Sequence, residues 1–270
     1  MEMDTRVGGN YGLRDEIKAY WSTRAETFDL SPGHEIFSDD ELAAWRSLIV
    51  KHLGKGEARR ALDLASGTGV ISHVMDGLGF EVTGLDWAEP MLEKARLKAK
   101  ARKRPIQFRM ADVENTMEPD NHHDVIITRH LVWTLVDPAA AFSEWLRVLK
   151  PGGKILIVDG DFVNVGRTER MLKALAKGME RLGLLKSDPM HAPPGLAQTH
   201  TSILSRVYFS GGARADLVAD LLAKSGFTNV TIDTNLREIH KAQSKHWNYL
   251  KALARGTQHR FAVSAVKPGG

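Results

Sequence analysis

Residues 61–72 read ALDLASGTGVIS: four apolar residues around one acid, Asp63, then Ser66-Gly67-Thr68-Gly69, then a new apolar run. A short apolar strand that breaks into glycines and re-enters apolar sequence predicts a strand–turn–helix unit. The start of that helix leaves backbone N–H groups unpaired, so the turn favours anionic or strongly polar ligand groups. Gly67 and Gly69 let a ligand approach the backbone and permit left-handed dihedrals. Alone, such a turn suits a dinucleotide or a nucleoside, or is simply a tight turn.

The first 160 residues repeat the unit. Short apolar runs at 61–65, 80–86, 106–111, 124–129 and 154–160 read as strands, mostly apolar on both faces as a buried parallel sheet requires. Helix-length segments at 70–78, 89–102 and 138–149 lie between them. The last begins at Pro138 and stops at Lys150-Pro151-Gly152-Gly153. This alternation predicts an α/β, doubly wound sheet. After residue 162 the rhythm breaks. An amphipathic helix at 167–185 is followed by a Pro-rich loop (SDPMHAPPGLAQTH), a helix over 213–227 and a strand over 228–233; a helical stretch over 236–254 and a last strand over 260–267 close the chain. The expected organisation is a helical N-terminal cap (1–45), a core (46–162), a helical insertion acting as a lid (163–210) and a segment completing the sheet (211–270).

The 270 residues suffice for one large α/β domain with a cap, and 43% hydrophobic residues supply its core. The absence of cysteine excludes disulfides, thiolate metal sites and cysteine nucleophiles. The polar N-terminus lacks the apolar core of a signal peptide, and no apolar run approaches the roughly 18 residues of a membrane span. The expectation is a cytoplasmic protein without a membrane partner. A net charge of +4 would suit nucleic acid, but much of the excess lies in KARLKAKARKRP (94–105). That run reads as the solvated face of a helix anchored by Leu92 and Leu97. His122 and His123, in DNHHD (120–124), precede the fourth strand, at the end of the sheet away from the glycine turn. They read as loop residues, and no metal site is expected.

Three details narrow the ligand. The dinucleotide fingerprint G-x-G-x-x-G/A fails at its third position, Ser72. Asp63 puts a carboxylate where it suits a cationic ligand group and not a pyrophosphate. Asp86 ends the second strand, 17 positions after Gly69, about right to chelate a ribose diol; Asp112 ends the third, where it can accept from an exocyclic amine. The ordered blocks DLASGTG, GLDWAEPML, ADVEN, DVIITRHLVWTLVDP and LKPGGKILIVDG, with the N-terminal YWSTRAETFDLSPGH, resemble the class I S-adenosylmethionine (SAM) dependent methyltransferases. Within that class they look most like the bacterial ubiquinone/menaquinone-type and small-molecule group.

The resemblance implies a Rossmann-like, seven-stranded, mostly parallel sheet with its last strand antiparallel. It also implies S-adenosyl-L-methionine as cofactor and S-adenosyl-L-homocysteine (SAH) as product. The methionine end would lie along Ala65, Ser66, Gly67 and Gly69, with Asp63 ordering the loop or meeting the ammonium group and Arg24 meeting the carboxylate. Asp86 would hold the ribose hydroxyls, and Trp87 and Met91 the adenine faces. Asp112 would take the adenine amine and the Val113 N–H a ring nitrogen. Ala111 and the backbone of Arg129 complete the cofactor set.

Methyl transfer is an in-line displacement, for which a protein mainly supplies alignment and dryness. A base is needed only where the nucleophile must lose a proton. His130 is the candidate base; the plainer reading is a structural histidine bonding its loop. His34, Tyr20, His191, His200 and Tyr208 are weaker candidates. Tyr11, Tyr20, Trp21, Phe28, Phe37, Phe162, Tyr208 and Phe209, with Trp133, would enclose a flat or apolar small molecule, or else simply glue cap to core. The expected activity is therefore methyl transfer to N or O of a small-molecule acceptor. RNA methylation is disfavoured: TRHLVW lacks the Asn/Asp-Pro-Pro-Tyr/Phe motif, and no cysteine is present for attack on pyrimidine C5. A SAM-binding regulatory or scaffold protein without turnover is the alternative from another class. The 167–185 helix could also form a homodimer surface.

Overall fold

The structure is a computed structural model that describes residues 9–185 and 195–269. Seven strands form one sheet: β1 (Arg60–Leu64), β2 (Glu81–Asp86), β3 (Gln107–Met110), β4 (His123–Arg129), β5 (Leu149–Gly160), β6 (Thr228–Asp233) and β7 (Arg260–Val266). Their order is β3-β2-β1-β4-β5-β7-β6. β1 to β5 pair in parallel, and β7 runs antiparallel to both β5 and β6. The helices are α1 (Gly9–Arg24), α2 (Asp39–Leu53), α3 (Val70–Gly77), α4 (Glu89–Ala101), α5 (Pro138–Val148), α6 (Arg167–Arg181), α7 (Leu196–Leu204), α8 (Ala215–Lys224), α9 (Arg237–Ser244) and α10 (Tyr249–Gly256).

Alternation along the strands sorts apolar side chains into two layers. Leu62, Leu64, Ile126, Ile155, Ile157 and Val263 meet Phe142 and Trp145 of α5 and Val218 and Leu222 of α8. Ala61, Val125, Ile127, Leu156 and Val158 meet Trp45, Ile49 and Leu53 of α2 and Val74 and Met75 of α3. Trp145 is fully buried and its indole N–H donates to Val113 O at 2.8 Å, so truncation to alanine should cost about 3–5 kcal/mol. The expectation of strands apolar on both faces holds for β1, β4 and β5 but not for β3, a sheet edge where only Phe108 is buried and Met110 is largely exposed.

The structure departs from the sequence reading at six places. The stretch 236–254 is two helices, because Asn248 breaks it and caps α10 by accepting from the Lys251 N–H at 3.0 Å. The insertion holds a second helix, α7, where the sequence reads as loop. Lys-Pro-Gly-Gly stops α5 as expected but lies inside β5. Leu97 is 66% exposed and anchors nothing, while Leu92, Ala95 and Ala99 seat α4. α2 crosses the expected boundary at residue 45 and feeds the core from Trp45 to Leu53. α6 ends at Arg181, short of 185.

Strand order reverses between β1 and β4, since β2 lies on one side of β1 and β5 lies beyond β4. That switch point opens a crevice at the carboxyl ends of the strands. α1 and the turn after it close over this end, and α1 packs on α7 through Leu13, Ile17, Ile203 and Val207.

Candidate active site

Ala65 and Gly67, both with φ of 54°, and Gly69 with φ of 82° carry the chain from β1 into α3. The two glycines serve different ends. A side chain at Gly67 would meet only Phe28 Cε1 at 3.8 Å, so this position faces open space. A Cβ at Gly69 would stand 2.8 Å from Phe108 Cζ and 3.2 Å from Ala95 Cβ. The Cβ direction of Gly69 therefore faces the core, its N–H donates to Ser66 O at 2.9 Å, and it is not among the residues lining the cavity described below. Its glycine is required by close packing and by the left-handed cap of α3.

Ser72 has a role that explains its departure from the dinucleotide pattern. Its hydroxyl donates to Asp63 Oδ2 at 2.5 Å, tying α3 to β1 inside the core. Asp63 is 2% exposed, and burial pushes its carboxyl up to about 7, against the opposing pull of Ser72 and Arg129. Asp86 orders the same loop from the next strand. One carboxylate oxygen accepts from the Gly67 N–H and the other from the Ala88 N–H, both at 2.9 Å. Burial pushes Asp86 up to about 6, opposed by those backbone donors.

These residues wall a cavity that opens to solvent at its mouth. The cofactor half holds Asp63, Ala65, Ser66, Gly67, Asp86, Trp87, Met91, Asp112 and Val113, joined by Ile71. The rest of the lining is Arg129, His130, Leu131, Thr134 and Leu135, with Trp21, Phe28 and His34 from the cap, Phe28 standing over the glycine turn. The cavity thus collects most of the sequence-predicted set, and three residues fall outside it. Gly69 faces the core. Arg24 is not among the lining residues, and its guanidinium donates to Thr27 Oγ1 at 2.5 Å and Ser31 Oγ at 3.0 Å, bracing the cap. Ala111 borders a separate groove with Arg14 and Lys18, and its N–H donates to Asp86 O at 3.0 Å.

Arg129 contributes more than the backbone expected of it. Its guanidinium donates to Gly33 O at 3.2 Å and His34 O at 2.9 Å and lies over the Trp45 ring, strapping the cap to the sheet. His130 has φ of 59°, and its N–H donates to Val158 O at 3.0 Å. Burial, then the charges of Arg260 and Arg129, hold its imidazole well below the ordinary histidine value, so it is neutral at pH 7. Its Nδ1 is shut off from solvent without a partner.

Among the weaker candidates, His34 lines the cavity, stacked on Phe28 at 4.3 Å. Tyr20 and His200 pack on Trp21 and Trp133 outside it, and Tyr208 points to solvent. Phe209 joins the main core, Phe37 is exposed, and Trp133 and Phe162 stand behind the wall. His191 and the Tyr11 side chain lie outside the described residues. Sequence reasoning missed Arg14, which bonds Asp112 Oδ2 at 3.0 Å and also Glu114. It also missed Asp159, whose carboxylate accepts from the Val132 and Gly160 N–H groups and is pushed up by burial to about 7. Asp159 had a signal: it is one more acid near a strand end, in IVDG.

At the opposite end of the sheet, Glu118, His122 and His123 bring ligand-type atoms within 4.8 Å of one another. Arg109 pairs with Glu118 and Arg60 reaches His122, so cations already occupy that cluster. We assign it no metal.

The cavity suits SAM on its own terms. Two buried carboxylates face a space that would take a cation and a diol. Trp87, Met91 and Val113 offer apolar faces, and the buried Ser66 hydroxyl lacks a partner. Asp112 already accepts from the Glu114 N–H and Arg14, leaving it the remaining lone pairs for an amine. The comparisons agree. A methyltransferase domain model matches residues 62–157. The chain is 28% identical over 242 residues to the demethylmenaquinone methyltransferase of Renibacterium salmoninarum, covering 84% of this chain and 92% of that one. It is 34% identical over 152 residues to the ubiquinone/menaquinone biosynthesis C-methyltransferase of Bdellovibrio bacteriovorus, covering 55% and 63%. Phosphoethanolamine N-methyltransferase 2 of Haemonchus contortus, solved with SAM, shares the fold with a TM-score of 0.61 at 16% identity, over 95% of this chain and 60% of that one. With the strand order, the glycine turn and the acids at the ends of β1 and β2, these findings identify the chain as a class I SAM-dependent methyltransferase.

Proposed function

We propose that the chain methylates a flat, largely apolar small molecule at O or N, with His130 oriented toward the nucleophile. The observation that carries this reading is the mixed lining of the cavity, in which the apolar Trp21, Phe28, Leu131 and Leu135 share the wall with one neutral imidazole, His130. When bound, SAM supplies an electrophilic methyl on a sulfonium, which keeps the bond electrons as the methyl departs. The chain's own residues hold, orient and dry the reactants. Asp63 and Asp86 present acceptors toward the cofactor half. His130, uncharged, is able to accept a hydrogen bond or a proton from an acidic hydroxyl; its depressed basicity suits an acceptor that ionises readily.

A ring carbon is the second reading, favoured by the names of the two relatives above, both quinone-type methyltransferases, one explicitly acting at carbon. A hydroxyl held at His130 would serve both routes, since ionising it activates oxygen and the ring alike. Partners follow from this proposal: a small-molecule acceptor and no nucleic acid. No described helix is long and apolar enough to cross a membrane. A homodimer, if formed, would cover the exposed Met171 and Leu175 of α6 and Tyr249 and Leu253 of α10.

The test is SAH titration followed by SAM consumption with hydroquinones, phenols and amines, the product methyl being located by NMR. His130→Ala should lower turnover at least tenfold while leaving SAH affinity within about threefold. An unchanged rate at saturating acceptor would leave His130 a structural histidine.

A further inference from the structure

Behind His130 lies a surplus of buried positive charge that the cofactor does not use. Arg260 opens β7, directly across from Gly160 at the end of β5. Its Cγ lies 3.2 Å from where a side chain at Gly160 would begin; Phe162 Cε1 lies 3.4 Å from that point and the Phe162 ring packs on His130 at 5.6 Å. Arg255 of α10 comes in from the cap side: a Cβ at Gly33 would stand 3.3 Å from its Nη2, and the same Gly33 accepts from Arg129. The charges of Arg260, Arg129 and Arg255 all act on the His130 ring.

Asp159 and Glu169 act on this group only from a distance, and Arg255 lies over the Trp247 ring at 4.1 Å. Among the described residues, no carboxylate lies within 4.0 Å of the Arg129, Arg255 or Arg260 guanidinium. The nearby acids are engaged elsewhere: Asp159 with backbone N–H groups, Glu169 with Lys173 and Gln258, Glu41 with Gln243. Three nitrogens able to donate are closed off from water without partners: Arg260 Nε, His130 Nδ1 and His240 Nε2. Burial lowers Arg260 to about 9 and Arg255 to about 10. Unpaired buried cations and orphaned donors destabilise a fold unless a ligand completes them.

We propose that Arg255, Arg260 and His130 form a subsite for an anionic group, carboxylate or phosphate, carried by the methyl acceptor. This rests on the methyl-transfer reading and narrows its substrate class to small organic anions. β4 and β5 lie between β1 and β7, so at about 4.8 Å per strand the Arg260 backbone is about 14 Å from the strand of Asp63, with Arg129 between them acting on both. The methionine carboxylate of SAM belongs beside the glycine turn, on the other side of that gap.

The experiment uses the full chain saturated with SAH, titrated by calorimetry with benzoate, inorganic phosphate and the neutral isostere benzamide at constant ionic strength. At least one anion should bind saturably and at least tenfold more tightly than benzamide. Arg260→Met and Arg255→Met should each weaken that anion tenfold or more, with Arg260→Lys retaining part of it and SAH affinity changing less than threefold. Preference for benzoate identifies a carboxylate subsite, and preference for phosphate a phosphoryl one. Should one variant not fold, the other decides. Equal binding of benzamide, no response to either anion, or full anion affinity in the methionine variants overturns the subsite. Failure of the wild type to bind SAH would instead overturn the cofactor reading.

Discussion

Asp86→Ala is the sharpest test of the cofactor half. The carboxylate is 7% exposed and is the acceptor for two loop N–H groups at 2.9 Å, from Gly67 and Ala88. Removing it takes away a charged acceptor from any ribose diol and leaves two backbone donors without their partner. A hydrogen bond to a charged group contributes about 1.5–3 kcal/mol net. Loss of one to the ligand predicts a tenfold to hundredfold rise in the SAH Kd by calorimetry at pH 7.5, at about 1.4 kcal/mol per decade. Asp86→Asn should lose nearly as much, because an amide nitrogen would face one of the two N–H donors. A pH series adds a second signature. Asp86 sits at about 6, so below pH 6 protonation removes the acceptor and wild-type affinity should fall by up to tenfold per pH unit. The alanine variant should lack that step. Kd values within threefold of wild type for both variants, or the same acid step in the alanine variant, would refute the placement of Asp86 at the ligand.

The two glycines should separate cleanly. Gly69→Ala, with its Cβ 2.8 Å from Phe108, should cost about 2–3 kcal/mol in chemical denaturation, while Gly67→Ala should cost about 1 kcal/mol but weaken SAH binding more. Asp63 has a folded-state value of about 7, above the ordinary carboxylate value, so its contribution to stability is present below about pH 4 and is lost as pH rises to 7. Asp63→Asn removes that slope, so its stability relative to wild type should rise by about 1–3 kcal/mol between pH 4 and 7, and a flat difference in urea melts would contradict the buried charge. Arg129→Met breaks the strap to Gly33 and His34 and should speed limited proteolysis within 9–38 at least threefold, without altering the far edge at β3.

The alternation of apolar runs and helical segments determined the α/β class and all seven strands to within a few residues, except for the early start of β5. Strand periodicity and turn chemistry are local, so they are written in neighbouring residues. The acids Asp63, Asp86 and Asp112 were legible for the same reason: each sits at or next to the end of a strand it can be counted from. What required the tertiary structure was direction and partnership. Gly67 and Gly69 are two positions apart and alike in sequence, yet one faces the cavity and the other the Phe108 ring, because β3 and α4 pack on only one side of the turn. Arg24 was expected to meet the SAM carboxylate and Arg129 to offer its backbone; both guanidiniums brace the cap, a contact set by how residues 24–34 fold over the sheet, and Arg129 also lines the cavity. Arg255 and Arg260 carried no local signal. Their convergence with Arg129 on His130 joins β4 to α10 and β7, where Arg255 and Arg260 lie over 120 residues further along the chain, and burial there is what leaves these arginines without an ion-pair partner.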